Sequence, residues 1–226
     1  MNCHAIRQSA VSQGPVLSGL IDMKLFVLGA NGRTGREILD LASSRGHRVT
    51  ALVRSPEKLR ATEWLNVVGG DPRRSETIAP ALAGHDAVLS AIGPHLREAL
   101  RPGALVADCA RATVEAMKAS GVTRLAIVSA AILFPEKGLF FAFFQWFLRN
   151  HARDLRRMES LVQSSGLDWT IARPPRLTKS TGVRFRALPN ALPSGSRAMS
   201  FRSVAAFLLD AVERKSHIKE IVGLGS

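Results

Sequence analysis

Three glycines with a fixed spacing are the residues best suited to chemistry near the start of the chain. Gly29, Gly32 and Gly35 follow a short apolar run and precede an amphipathic stretch. In a strand, turn and helix, the first glycine permits a tight turn, the second lets a pyrophosphate reach the backbone, and the third lets the helix pack on the strand. The alternative is a purely structural turn. The pattern predicts a dinucleotide site, because the helix N-terminus would also present free N–H groups to phosphates. Further contacts are expected from Asn31, Arg33 and Thr34.

A basic residue follows the second predicted strand, where NAD-specific proteins of this fold carry an acid that binds the ribose 2′-hydroxyl. The residue here is Arg54. A guanidinium can donate two hydrogen bonds to a 2′-phosphate, whereas an acid would repel it. We therefore predict NADP(H) as the cofactor. Arg33 and Lys58 are expected to assist, with a plain surface charge as the alternative for each.

Short runs rich in Val, Ile and Leu alternate with longer amphipathic stretches along the chain. This alternation is typical of a parallel sheet with helices on both faces. It predicts an α/β fold, a single-domain Rossmann fold with a doubly wound, mostly parallel sheet. The predicted strands are Lys24–Leu28, Arg48–Val53, Leu65–Val68, Ala87–Ala91, Arg124–Val128, Trp169–Ala172 and a weak one at Glu220–Val222. The clearest predicted helices are Thr34–Ser44, Ala104–Ser120 and Asn150–Ser165, which end at Gly46, Gly121 and Gly166.

The length of 226 residues fits one domain. We expect residues 1–22 to be a disordered extension and the true start to lie near Met23. Residues 23–226 would form the NAD(P)-binding domain, with the substrate region built mainly from 130–150 and 174–200. The two cysteines are far apart, which favours a reducing cytoplasm over a disulfide scaffold. No apolar run approaches the roughly 18 residues that span a bilayer.

The chain is strongly basic, with 31 Lys and Arg against 18 Asp and Glu, a net charge of +13. This charge suits an anionic ligand, a nucleic acid or an acidic membrane surface. The arginines are scattered over predicted helix faces, and there is no tyrosine to stack on bases. We therefore expect a solvated basic surface and no nucleic-acid partner. The histidines and acids show no ligand spacing, so no metal is expected.

Several motifs together resemble one family. They are Gly29–Gly35, Val53–Ser55, Gly70–Asp71, Asp86–Gly93, Ser129–Ala131, Ser165–Thr170 and Arg173–Pro175. From Met23 onward the chain resembles the atypical short-chain dehydrogenase/reductases, in the NAD(P)-binding group that contains flavin/biliverdin-IXβ reductase and the NmrA-like proteins. The resemblance implies that Asp71 lies near the adenine, that Ala91, Ile92 and Gly93 pass along the cofactor, and that Pro174 and Pro175 face the nicotinamide. For the prolines, an ordinary turn at a strand end is the alternative.

The proton donor of the main dehydrogenase branch, Tyr-x-x-x-Lys, cannot exist here because the chain has no tyrosine. Alignment places His151 at the tyrosine position and Leu155 at the lysine position. Histidine can donate a proton near neutral pH, although packing is its commoner role on a helix. Ser129 ends the fifth predicted strand, where ligands gather, so we expect its hydroxyl to orient substrate or nicotinamide. Ser129 has neither a Ser-His-Asp arrangement nor a G-x-S-x-G motif around it, so we do not expect it to act as a nucleophile.

In the resembled reductases, hydride passes from the cofactor to an electron-poor ring that takes its proton from solvent. We therefore expect an NADPH-dependent reductase of a planar flavin, quinone or tetrapyrrole-like acceptor, as a monomer or homodimer. An NmrA-like NADP(H) sensor with little turnover is the alternative. The apolar segment 139–148 could be a lid over the substrate, a dimer face or an interfacial membrane contact, and core packing weighs equally against these three.

Overall fold

The computed structural model describes residues 22–94, 96–135 and 147–226. The expected N-terminal extension is residues 1–22, and all of it except Asp22 lies outside the described residues. Residues 139–146 of the apolar segment 139–148 also lie outside the described residues.

The main sheet has eight strands, seven of them parallel. The strands in the described residues are β1 (Lys24–Leu28), β2 (Arg48–Val53), β3 (Leu65–Gly69), β4 (Ala87–Ser90), β5 (Arg124–Val128), β6 (Asp168–Arg173), β7 (Arg176–Thr178), β8 (Arg186–Pro189), β9 (Ala198–Ser200) and β10 (Glu220–Gly225). The order in the main sheet is β3-β2-β1-β4-β5-β6-β10-β8, and only β8 runs antiparallel, against β10. A separate parallel pair joins β7 to β9. The predicted mostly parallel sheet is confirmed.

Helices cover both faces of the sheet. In the part of the chain that the structure describes they are α1 (Arg33–Ser44), α2 (Ser75–Leu82), the short α3 (Leu96–Ala99), α4 (Leu105–Ser120), α5 (Arg149–Gln163) and α6 (Phe201–Glu213). Side chains of α1 and α6 share one core cluster, and those of α2, α4 and α5 share the other. The doubly wound arrangement is therefore confirmed, with one hydrophobic core on each side of the sheet.

The predicted boundaries agree closely with the structure where the sequence has local stop signals. Gly46, Gly121 and Gly166 have φ angles of 80°, 75° and 80°, the left-handed conformation expected after a helix. The helix α6 was missed because its residues from Ser203 to Leu209 are all buried, so no polar face marks a helical period.

Register places the ends of the central strands side by side. Leu28 of β1 is paired with Leu52 of β2 on one side and with Ser90 of β4 on the other. Because these strands are parallel, the loops that leave their carboxyl ends emerge at one edge of the sheet. This edge receives the residues that the sequence assigns to a ligand site.

We predict that Gly35→Ala destabilises the protein strongly. A Cβ atom at Gly35 would lie 2.1 Å from the Gly29 carbonyl oxygen and 2.6 Å from the Ala30 Cα, both backbone atoms that cannot move cheaply. We expect a loss of about 1–3 kcal/mol in the free energy of unfolding, measured by urea denaturation. Gly182→Ala is the control, because a Cβ there meets nothing within 4 Å. Equal stability of the two variants would contradict the close packing.

Candidate active site

The predicted site residues meet at the carboxyl edge of the parallel sheet. Following the spatial order of strands from β3 to β6, the residues just beyond the strand ends include Asp71, Arg54, Gly29, Ala91, Ser129 and Pro174. The chain changes direction across the sheet between β1 and β4, which is where open α/β sheets bind their ligands. The structure therefore brings the cofactor candidates and Ser129 to one edge.

The glycine-rich loop forms a tight turn that leads into α1. Gly29 has a φ of 81°, and a Cβ there would lie 2.8 Å from the backbone of Ala91, so the loops after β1 and β4 are in contact. Gly32 donates its N–H to the Gly29 carbonyl at 2.9 Å and forms the N-cap of α1 without a side-chain hydrogen bond. A Cβ at Gly32 would meet only the Gly29 oxygen, at 3.1 Å. The outer side of this turn is open to a ligand.

Three more loop residues differ in their surroundings. Asn31 donates its side-chain Nδ2 to the Ser55 carbonyl at 3.3 Å, while its Oδ1 is buried and accepts no hydrogen bond from the described residues. The Arg33 guanidinium lies 5.5 Å from the ring centre of Phe201, at the start of α6. Thr34 is buried in the first turn of α1. Asn31 therefore joins the loop to the end of β2 and keeps an acceptor that a ligand hydroxyl or water would satisfy.

A cleft with a volume of about 300 Å³ opens at this edge. Its lining includes Arg54, Arg73, Arg101, Asn150 and His151. The cleft thus joins Arg54, the predicted phosphate ligand, to His151, the predicted proton donor. Lys58 is exposed at the end of a short helical turn, Pro56–Lys58. Another cleft, of about 390 Å³, lies at the opposite edge among the first residues of β1 and β2.

His151 is half-buried in the first turn of α5. Burial lowers the pKa of its imidazole, and the nearby Asp154 carboxylate offsets only part of this effect. Asp154 is itself engaged at the N-terminus of α4, where it accepts the N–H groups of Val106 and Ala107 at 3.0 Å each. Leu155 is buried in the core. At neutral pH the imidazole is therefore mainly neutral, and the position aligned with the lysine has no amine.

Ser129 belongs to a buried polar network between β5, α5 and β6. Its hydroxyl donates to Glu159 Oε1 at 2.5 Å, and both residues are buried. Glu159 also accepts from Arg173, through Nε at 2.9 Å and Nη2 at 2.5 Å. The Arg173 guanidinium lies 4.6 Å from the ring centre of Phe134. The Ser129 proton is thus held by Glu159, and the network links the ends of β5 and β6.

Backbone hydrogen bonds hold the same strand ends together. Ser129 donates its N–H to the Ala172 carbonyl at 2.7 Å, and Ala131 donates to the Pro174 carbonyl at 2.8 Å. Pro174 is buried and Pro175 is partly exposed. Ile92 is also partly exposed, and Gly93 is exposed beyond the end of β4. The segments that carry Ser129 and Pro174 are therefore held beside each other.

Sequence reasoning did not assign roles to Glu159 and Arg73. One sign was available for Glu159, because its helical spacing from Leu155 and Val162 places it on the buried face of α5. Arg73 gave no such sign, since it stands in a loop beside another arginine. Its contacts with Asp71 become visible only in the folded loop.

Metal ligands and membrane-spanning helices both bear on the kind of site. Within residues 22–94, 96–135 and 147–226, no group of three or more His, Cys, Asp or Glu side chains is placed to hold a metal ion. Across the same described ranges, every helix is too short or too polar to cross a bilayer.

Comparison with known proteins identifies the family. The sequence profile of NAD(P)H-binding proteins matches residues 29–215, and the chain belongs to this family. The uncharacterized protein YwnB of Bacillus subtilis is 28% identical over 213 residues, which cover 88% of this chain and 96% of YwnB. The predicted resemblance to an NAD(P)-binding group is confirmed at the level of this family.

Solved structures with the same fold include proteins described as reductases. A "putative NADH-flavin reductase" from Streptococcus pneumoniae is 23% identical, with a TM-score of 0.69 over 90% of this chain and 99% of that chain. A short-chain dehydrogenase/reductase from Veillonella parvula, in complex with NADP, is 16% identical, with a TM-score of 0.73 over 90% of this chain and 94% of that chain. At these identities the comparisons establish the shared Rossmann fold.

The residues of the loop fit a dinucleotide. The start of α1 has no side-chain cap, and Gly32 leaves space above the turn. Asn31 offers a buried acceptor that has no partner among the described residues. These features suit a pyrophosphate and its neighbouring hydroxyl groups. In addition, a Cβ atom at Gly35 would overlap backbone atoms of Gly29 and Ala30, so the helix must approach the strand closely.

We predict that Glu159→Gln lowers the free energy of unfolding by about 3–5 kcal/mol, because it leaves the largely buried Arg173 guanidinium without its anionic partner. Ser129→Ala should cost about 1 kcal/mol, because the ion pair remains. Glu76→Gln is the matched control: Glu76 is exposed and lies 3.9 Å from Arg74, so no change is expected. Urea denaturation measures all three variants. Similar values for Glu159→Gln and Glu76→Gln would show that the buried pair contributes little.

Proposed function

We propose that this chain is an NADPH-dependent reductase that transfers hydride to a conjugated acceptor of the flavin, quinone or tetrapyrrole type. Its membership of the NAD(P)H-binding family supports the first half of the proposal. The observation that carries the second half is the hydrogen bond from Ser129 to the buried Glu159. A serine whose proton is held in this way is a poor donor to a substrate, so the site suits acceptors that take a proton from solvent.

Each part of the edge has a proposed role. NADPH, when bound, supplies the hydride. The backbone of Gly29, Gly32 and Gly35 and the start of α1 hold the pyrophosphate, assisted by Asn31, Arg33 and Thr34. Arg54 and Lys58 bind the 2′-phosphate, and Asp71 lies on the adenine side. Ala91, Ile92 and Gly93 border the cofactor, and Pro174 and Pro175 border the nicotinamide.

Catalysis in this proposal comes from positioning. The Glu159–Arg173 pair fixes the ends of β5 and β6, and with them Ser129 and Pro174. Holding an acceptor ring beside the nicotinamide converts a bimolecular encounter into an oriented one, a large part of many enzymatic rate enhancements. The acceptor would bind over the regions 130–150 and 174–200, of which residues 136–146 lie outside the described residues.

An NADP(H)-binding sensor with little turnover is the second candidate. The buried Leu155 favours it, because the position aligned with the catalytic lysine carries no amine. The two proposals share the cofactor site and differ in whether an acceptor reaches the nicotinamide.

We predict that NADPH binds at least about tenfold more tightly than NADH, because a charge-assisted hydrogen bond to phosphate contributes roughly 1.5–3 kcal/mol. Arg54→Glu should reverse this order, since a carboxylate repels the phosphate and accepts from a 2′-hydroxyl. Calorimetry measures the four dissociation constants. Arg60→Glu, with the same charge change on an exposed residue nearby, should keep the preference for NADPH. Equal affinity of the unmodified protein for both cofactors would contradict the assignment.

We predict that His151→Asn changes kcat by less than about threefold, because its pKa is lowered and solvent supplies the proton. Steady-state oxidation of NADPH is followed with flavins, quinones and biliverdin as acceptors. A fall of about a hundredfold, with unchanged NADPH affinity, would make His151 the proton donor. Tight NADPH binding by the unmodified protein without oxidation by any of these acceptors would support the sensor.

A further inference from the structure

Asp71 and Arg73 form a closed hydrogen-bonded pair directly after β3. The Arg73 side chain donates Nε to Oδ1 at 3.0 Å and Nη2 to Oδ2 at 2.7 Å, and its backbone N–H also reaches Oδ1, at 3.0 Å. Both carboxylate oxygens of Asp71 are therefore occupied. This two-point contact fixes the plane of the guanidinium, although Arg73 itself is exposed.

The orientation of Arg73 matters because Arg73 and Arg54 line the same cleft. These residues follow neighbouring strands, β3 and β2, whose carboxyl ends lie side by side in the register Val53 to Gly69. Arg73 uses only Nε–H and one Nη2–H for Asp71, so three of its five N–H groups remain for a ligand.

Electrostatics agree with this arrangement. The Arg73 hydrogen bonds lower the pKa of Asp71 to about 2, and the positive charge of Arg54 adds a smaller effect in the same direction. Asp71 is therefore ionised throughout the pH range in which the protein would work, and it retains its hold on Arg73. Because Asp71 responds to the charge of Arg54, all three groups lie within electrostatic reach of one another.

We propose that Arg54 and Arg73 together form a clamp for the 2′-phosphate of NADP(H), and that Asp71 is the positioning residue that orients Arg73. This inference rests on the cofactor preference in the proposed function. It assigns Asp71 an indirect role, because a carboxylate facing a phosphate without Arg73 would repel it. Two guanidinium groups on adjacent strand ends can donate to different oxygens of one phosphate.

Arg74 provides a matched control. It is the next residue in the chain, it is exposed, and its ion-pair contact is with Glu76 at 3.9 Å. It does not belong to the lining of the cleft. Replacing either arginine with methionine changes the net charge by the same amount. A difference in ligand affinity between the two variants would therefore reflect where the arginine lies.

The test uses adenosine 2′,5′-bisphosphate and AMP, which differ only in the 2′-phosphate, with calorimetry on the full chain. The expected result is that Arg73→Met lowers the ratio of the two affinities about tenfold and changes AMP affinity less than twofold. Arg74→Met should leave the ratio unchanged. Asp71→Asn should lower the ratio by a smaller factor, since Arg73 is loosened but present. Because salt screens charges, raising the salt concentration should bring the affinity ratio of the unmodified protein closer to that of Arg73→Met.

Other outcomes overturn the clamp. If Arg73→Met weakens both ligands equally, Arg73 stacks on the adenine instead. If the unmodified protein does not prefer the bisphosphate, or if Arg74→Met has the effect expected of Arg73→Met, the clamp is wrong. The assay requires no turnover, so its result is separate from the reductase proposal: a protein that discriminates between the ligands but oxidises no NADPH keeps the clamp and loses the enzyme assignment.

Discussion

The close approach of α1 to the end of β1 is the constraint on which the site depends. Gly35 has no side chain to keep the helix away from the Gly29 carbonyl, and Gly29 allows the backbone of Ala91 to come near as well. These two contacts set the position of the α1 N-terminus relative to the carboxyl ends of β1 and β4. Because the first turn of α1 has no side-chain cap, its N–H groups stay available at this edge of the sheet.

A second constraint acts at the other half of the edge, where Glu159 is held between Ser129 and Arg173. Burying a carboxylate is unfavourable unless it is paired and hydrogen-bonded, and here both conditions are met. The same contacts make Ser129 part of the framework. The site therefore combines an open half, formed by backbone N–H groups, with a closed half in which the side chains bind one another.

The excess of arginine divides into groups with different surroundings. Arg124 is buried and donates to the carbonyls of Asp168, Ala211 and Ser216, and burial lowers its pKa to about 10. Arg45 and Arg202 pair with carboxylates between α1 and α6. Arg54, Arg73 and Arg101 line the cleft at the carboxyl edge of the sheet. Net charge alone cannot separate these roles, because each depends on which groups surround the arginine after folding.

The parallel sheet, the glycine-rich turn and the ends of three helices could be predicted from the sequence. They follow from periodicity and from residues whose conformational limits act over a few positions. Edge strand β8, the parallel pair β7 and β9 and the buried helix α6 carry no such local pattern. The hydrogen bond from Ser129 to Glu159, 30 residues away, becomes visible only in the folded chain. The same is true of the cleft that Arg54, Arg73 and His151 line together. Hydrogen bonding and burial depend on distances in space. The spacing of residues along the sequence does not set these distances; they are set when the order of strands in the sheet brings the strand ends together.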